Sequence, residues 1–173
     1  MKKLFITITI IMASFATYAQ GKVVNKYFNQ LADNDQFTKV SISSKMFSLF
    51  TELEAGSEAE EEFLKAVSKL KGLKVIASDS IGNAAKMYSQ ALKDIDAAGY
   101  DELMSVKDAE ENMRFSIKES GGKIEELLMV VGGKKRFVLL SLYGEIDLKN
   151  ISKIARSMNV GGLDNLSKID ADN

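Results

Sequence analysis

Glu125, Glu126 and Glu145, with Tyr143 close by, interrupt or end otherwise apolar runs. Their type suits proton transfer or the binding of a polar ligand. Glycoside hydrolysis needs only two carboxyl groups a few ångströms apart, one protonated and one ionised. A pair of this kind would make the chain a carboxylate-dependent hydrolase of an envelope sugar or peptide, but nothing in the order of residues singles out which two acids would serve. On a strand edge a glutamate also simply keeps the surface wet. Lys134, Lys135 and Arg136 form a small basic tip that suits an anionic partner or plain solvation.

The basic tip follows the second of two GGK tripeptides, at 121–123 and 132–134. A phosphate-cradling loop requires GxxxxGK followed by Ser or Thr, so that backbone amides wrap the phosphates and a hydroxyl reaches magnesium. Ile124 and Lys135 stand where that hydroxyl belongs, and the upstream glycine is missing in both copies. Paired glycines between apolar runs read instead as hairpin turns, which need positive φ angles. The acidic cluster Glu58, Glu60, Glu61 and Glu62 reads in the same way as local structure. Ser57 is an N-cap with Glu60 at the capping-box position, and carboxylates in a first turn are favoured by the helix dipole.

Absences narrow the chemistry further. With no Cys, disulfides, thiolate catalysis and lipid attachment to cysteine are excluded. With no His, the commonest general base near neutral pH and the commonest transition-metal ligand are gone. No catalytic residue, cofactor or metal site is assigned on this reading. The net charge of −1 provides no field for a nucleic-acid backbone, so nucleic-acid binding is disfavoured.

The elements that must carry these residues follow from periodicity. Val24, Tyr27, Phe28 and Leu31 predict a helix over 22–32, and Val40 and Ile42 alternate as a strand. Met46, Phe47, Leu49, Phe50 and Leu53 predict a mostly buried helix. The helix capped by Ser57 follows, then a strand from Gly72. Next comes a helix capped by Asp79 or Ser80 that stops at Gly99.

From Tyr100 the pattern alternates, predicting strands at 103–107, 112–118, 124–131 and 136–143. In the second of these Met113, Phe115 and Ile117 face inward, while Arg114, Ser116 and Lys118 face water. The last two are apolar on both faces, as strands covered on both sides are. Asp147 caps a final helix carrying Leu148, Ile151, Ile154, Ala155 and Met158.

The first residues read as an address. Lys2 and Lys3 precede an apolar run over 4–11, and Thr17 and Ala19 occupy the −3 and −1 positions of a cleavage site after Ala19. This is the layout of a secretory signal peptide, and the run is shorter than the ~20 residues that span a bilayer. Removing Lys2 and Lys3 from the 23 basic residues, against 24 acidic ones, leaves a mature charge of −3. No later segment is apolar enough to span a membrane.

The run GYDELMSVKDAEENMRFSIKESGGKIEELLMVVGGKKRFVLLSLYGEIDLKNISKIA, with FTKVSISSKMFSLF and LKGLKVIAS before it, resembles an uncharacterised bacterial envelope family, domain of unknown function 4252. The resemblance spans about 27–155 and is most specific at YDELM, at the Glu-Leu strand before the second GG, and at GEIDL. Many members resemble lipoproteins with a cysteine at the cleavage site; this chain has none there, which favours a released periplasmic form. The resemblance implies an address and a fold and carries no catalytic residue with it.

The expected architecture is a signal peptide over 1–19, a single α+β domain over 20–160 and a mobile polar tail over 161–173. The domain is a mainly antiparallel sheet of about six strands, with a C-terminal four-strand meander and helices packed on it. The two early strands, separated by helices, are expected to pair in parallel through a crossover. The expected role is an exported, non-catalytic binding module of the periplasm or extracellular space, whose partner is an envelope protein or a small apolar ligand. The alternatives are the hydrolase above and a carrier of a lipid or apolar small molecule, which needs a cavity between sheet and helices.

Overall fold

The computed structural model describes residues 21–147 apart from Glu54. The predicted leader, the predicted C-terminal helix and the predicted polar tail lie outside the described residues. Helices α1 (Lys22–Gln30), α2 (Ser44–Phe50), α3 (Glu58–Ser68) and α4 (Ala84–Ala97) accompany strands β1 (Thr38–Ser43), β2 (Leu70–Ser78), β3 (Asp101–Lys107), β4 (Glu111–Ser120), β5 (Lys123–Gly133) and β6 (Phe137–Ile146). The strands form one sheet in the order β1-β2-β6-β5-β4-β3, and every pair is antiparallel. The four C-terminal strands are the expected meander. None of the helices among the described residues is long and apolar enough to cross a membrane.

The expected parallel pairing of β1 with β2 is incorrect: Val40 lies opposite Val75 in an antiparallel ladder. One crossover helix would return the chain to the starting end of the sheet and give a parallel neighbour. Here two helices, α2 and α3, intervene, so the chain re-enters from the opposite end and β2 runs back along β1.

Side-chain alternation divides the core into two layers. On one side of the sheet, Leu128 and Val130 of β5 and Leu139 of β6 pack under α1 and α4, against Val24, Ala91 and Ile95. On the other, Leu127, Met129 and Val131 join Phe115, Phe47 of α2 and Val67 of α3. Burial on both faces explains why β5 and β6 read as nearly unbroken apolar runs.

The same covering corrects the reading of β4. Ser116 is buried rather than wet, and the Arg114 side chain is only 12% exposed and pairs with Asp96 at 2.6 Å and Glu102 at 3.2 Å. Alternation located the face correctly; α4 above it was not anticipated. Helix α4 also starts later than expected, after Asn83 rather than from an Asp79 or Ser80 cap. Asp79 is instead an ion-pair partner of Arg136 at 3.2 Å.

The two glycine pairs have different causes. Gly121 and Gly122 are the two loop residues between β4 and β5, with left-handed φ angles of 59° and 76°, as a tight hairpin requires. Gly132 and Gly133 lie in β5 itself and are not among the positive-φ glycines, so the turn expected there is misplaced. Lys134, Lys135 and Arg136 make the connection, closed by Gly133 N–H donating to the Arg136 carbonyl at 2.8 Å. Gly132 answers to packing: a Cβ there would collide with Cβ and Cγ of Tyr88, where α4 comes down onto β5.

Helix α3 begins as its sequence indicates. Ser57 Oγ accepts from Glu60 N–H at 3.3 Å, and the Glu60 carboxylate reaches back to Gly56 N–H at 2.6 Å. Helix α2 does not match expectation. Phe47 is buried, but Met46 is 48%, Leu49 46% and Leu53 58% exposed.

Candidate functional site

Glu126 and Glu145 meet opposite fates. Glu126 points to the α1/α4 side of β5 and is fully buried. One oxygen, Oε2, accepts from Gly21 N–H at 2.8 Å and from the Tyr100 hydroxyl at 2.7 Å; the other, Oε1, accepts from the Ser141 hydroxyl at 2.7 Å. All three donors are neutral. Burial and the neighbouring Glu126 push the Tyr100 phenol well above its ordinary range, so it stays a proton donor to this carboxylate. Sealed from solvent and bonded through both oxygens, Glu126 ties the start of α1 to β5, to β6 and to the residue just before β3, and is not open to a substrate.

Glu145 lies at the open end of the sheet. It bridges Lys69 at 2.8 Å and Lys123 at 2.7 Å. These bonds hold its carboxyl well below the usual range, at about 2. An acid locked in its ionised form is not the proton donor that two-carboxylate hydrolysis needs.

Glu145 and the half-buried Glu125 line an open groove of about 700 Å³, together with Lys45, Lys69, Lys71 and Lys123. Tyr143 is not in this groove's lining; its ring occupies the space above Gly72 where a Cβ would otherwise lie. The basic tip is at the β5–β6 connection. There Lys134 and Lys135 are exposed, whereas Arg136 pairs with Glu111 at 3.2 Å as well as with Asp79. The structure therefore brings Glu125 and Glu145 together and keeps Glu126 and the basic tip apart from them.

Two partners of Glu126 escaped sequence reading. Ser141 is the polar interruption of VLLSLY, and Glu126 interrupts the adjacent apolar strand. Ser141 faces Leu128 across the ladder, which makes Glu126 its diagonal neighbour on the same side. Two polar residues on one buried face of paired strands were the available signal. Tyr100 carried none beyond its place after Gly99.

The exposed stripe of α2 was also missed. Its residues are spaced i, i+3 and i+7, and the helical path continues beyond Phe50 through backbone bonds such as Leu53 N–H to the Phe50 carbonyl at 3.3 Å. Phe47 points inward while Met46, Leu49 and Leu53 point out. Half-exposed Val40 lies on β1, whose second edge is unpaired among the described residues. Among those residues no cluster of three or more acids is arranged to hold a metal ion.

The family described as Domain of unknown function (DUF4252) matches residues 27–154 of the 173. The chain belongs to this family. The match opens inside α1 and runs past β6, so the DUF4252 domain includes the whole sheet, the α2 stripe and the open groove. Of the groups bonded to Glu126, Tyr100 and Ser141 lie within the matched residues and Gly21 precedes them. A comparison with curated proteins gives no match.

Proposed function

We propose that this DUF4252 chain is an exported, non-catalytic binding module of the bacterial envelope, and that its partner is another protein docking on α2 beside the edge of β1. The observation that carries this reading is the outward stripe of Met46, Leu49 and Leu53. Three large apolar side chains on and just beyond one short helix cost solubility and contribute little to this fold, which is the usual mark of a contact surface.

The stripe is carried on the outside of a helix, so it cannot enclose a small molecule. It suits a protein surface. The adjoining groove sets four lysines, Lys45, Lys69, Lys71 and Lys123, against Glu125 and Glu145, an excess of two positive charges. The complementary partner therefore presents apolar side chains flanked by acidic ones.

The test compares two immobilised baits in a bacterial envelope extract, the wild type and a variant carrying Met46→Gln, Leu49→Gln and Leu53→Gln. The reading expects a protein retained by the wild type and lost from the variant. Identical recoveries from both baits would overturn it.

A further inference from the structure

Two strands end the sheet, β1 and β3, and neither has a strand on its outer edge among the described residues. A free edge presents a row of backbone N–H and C=O groups that another strand can complete, and folds ordinarily guard it with charges, bulges or proline. β3 is guarded. Asp101, Glu102 and Lys107 lie along it, and its register to β4 shifts between Glu102 and Met104.

β1 has none of these guards. Its ladder to β2 runs from Thr38 opposite Ala77 to Ser43 opposite Gly72 without a shift, and the chain contains no proline. The one charged side chain of β1, Lys39, is diverted: its ammonium donates to the carbonyls of Leu31 at 2.8 Å and Ala32 at 2.6 Å, at the end of α1, where a cation is favoured. The other residues of the strand, Thr38, Val40, Ser41, Ile42 and Ser43, carry no charge to repel an incoming strand.

The faces of β1 also match a copy of themselves. Val40 and Ile42 lie opposite Val75 and Leu73 of β2, on the side of the sheet that holds Phe47 of α2, and Val40 is 41% exposed there. Two β1 strands related by a two-fold axis perpendicular to the sheet run antiparallel and keep like faces on the same side. With the axis at Val40, this residue meets its own copy, each Thr38 meets the other copy's Ile42, and each Lys39 meets a Ser41. One face of the seam is then wholly β-branched, and no two lysines oppose each other.

We propose that the free edge of β1 pairs with β1 of a second copy of this chain, antiparallel about a two-fold axis at Val40, joining two six-stranded sheets into one. The self-match of both faces favours a second copy over an unlike segment. The seam uses β1 and not the outward residues of α2, so it is separate from the partner proposed for that stripe.

The test is the mass of the purified full chain by sedimentation equilibrium over a concentration series. It compares the wild type, Val40→Lys, Val40→Glu and an equimolar mixture of the two variants. The wild type is expected to approach twice the monomer mass. Each variant sets like charges against each other at the axis and should raise the dissociation constant about tenfold or more. The mixture sets Lys against Glu and should recover the dimer, which a merely structural effect of either substitution would not allow. The proposal is overturned by a wild type that stays monomeric through about 100 μM, by variants that associate as the wild type does, or by a mixture that fails to recover.

Should the variants not fold, hydrogen exchange of the wild type decides. Alternate amides of β1 point away from β2, and the seam predicts that their protection falls on dilution. Protection that is equal at high and low concentration overturns the proposal: amides that stay closed assign the edge to chain outside residues 21–147, and amides that stay open leave it uncovered.

Discussion

On the α1/α4 side of the sheet, fit is close enough that a carboxylate is sealed at 0% exposure and β5 uses a glycine at 132 to admit the Tyr88 side chain. On the α2 side, three large apolar residues on and just beyond a seven-residue helix stand about half in water. The first side is built for stability: its buried carboxylate is bonded through both oxygens and its helices sit against the middle of the sheet. The second covers the β1–β2 end and keeps apolar surface that the fold does not consume. The difference teaches where a partner belongs, because a surface already closed by its own helices has nothing left to offer.

The largest break in this comparison comes on the closed side. Gly132→Ala places a methyl against Cβ and Cγ of Tyr88, atoms tied to the α4 backbone that cannot swing aside. The helix must shift from the sheet, and overpacking of this kind costs about 1–3 kcal/mol. Chemical denaturation should show that loss as a lower midpoint with an unchanged slope.

A smaller effect is expected in the open groove. Glu145 has its carboxyl lowered to about 2 by Lys123 and Lys69, so its contribution is present above its ordinary value of 4.5 and is lost as pH falls toward 2. Glu145→Gln should flatten that part of an acid-unfolding curve. Because the group is exposed, the change should be slight and shrink further in salt.

Much of this contrast was legible in the chain itself. The β3–β6 meander followed from alternation after Tyr100, and the Ser57 cap from its spacing to Glu60. Other features depend on contacts between distant segments. Gly132 and Gly121 look alike in sequence, yet one answers to a helix arriving from residues 84–97 and the other to a two-residue loop.

Periodicity also overstated the burial of α2. Five apolar residues over 46–53 satisfy a pattern, but only tertiary placement decides which of them meet the core. The direction of β2 depended on counting two helices between strands instead of one crossover. Glu126 was singled out as an interruption, but its role needed Gly21, Tyr100 and Ser141, which lie 105, 26 and 15 residues away in the chain.

The central claim is that the outward stripe of α2 is spare for folding and reserved for contact. Its most direct test is the unfolding free energy of the isolated Met46→Gln, Leu49→Gln, Leu53→Gln variant beside that of the wild type. The account predicts agreement within about 0.5 kcal/mol per substitution, as for surface positions outside a packed core. A loss of several kcal/mol would show that these side chains hold the domain together, and would contradict it.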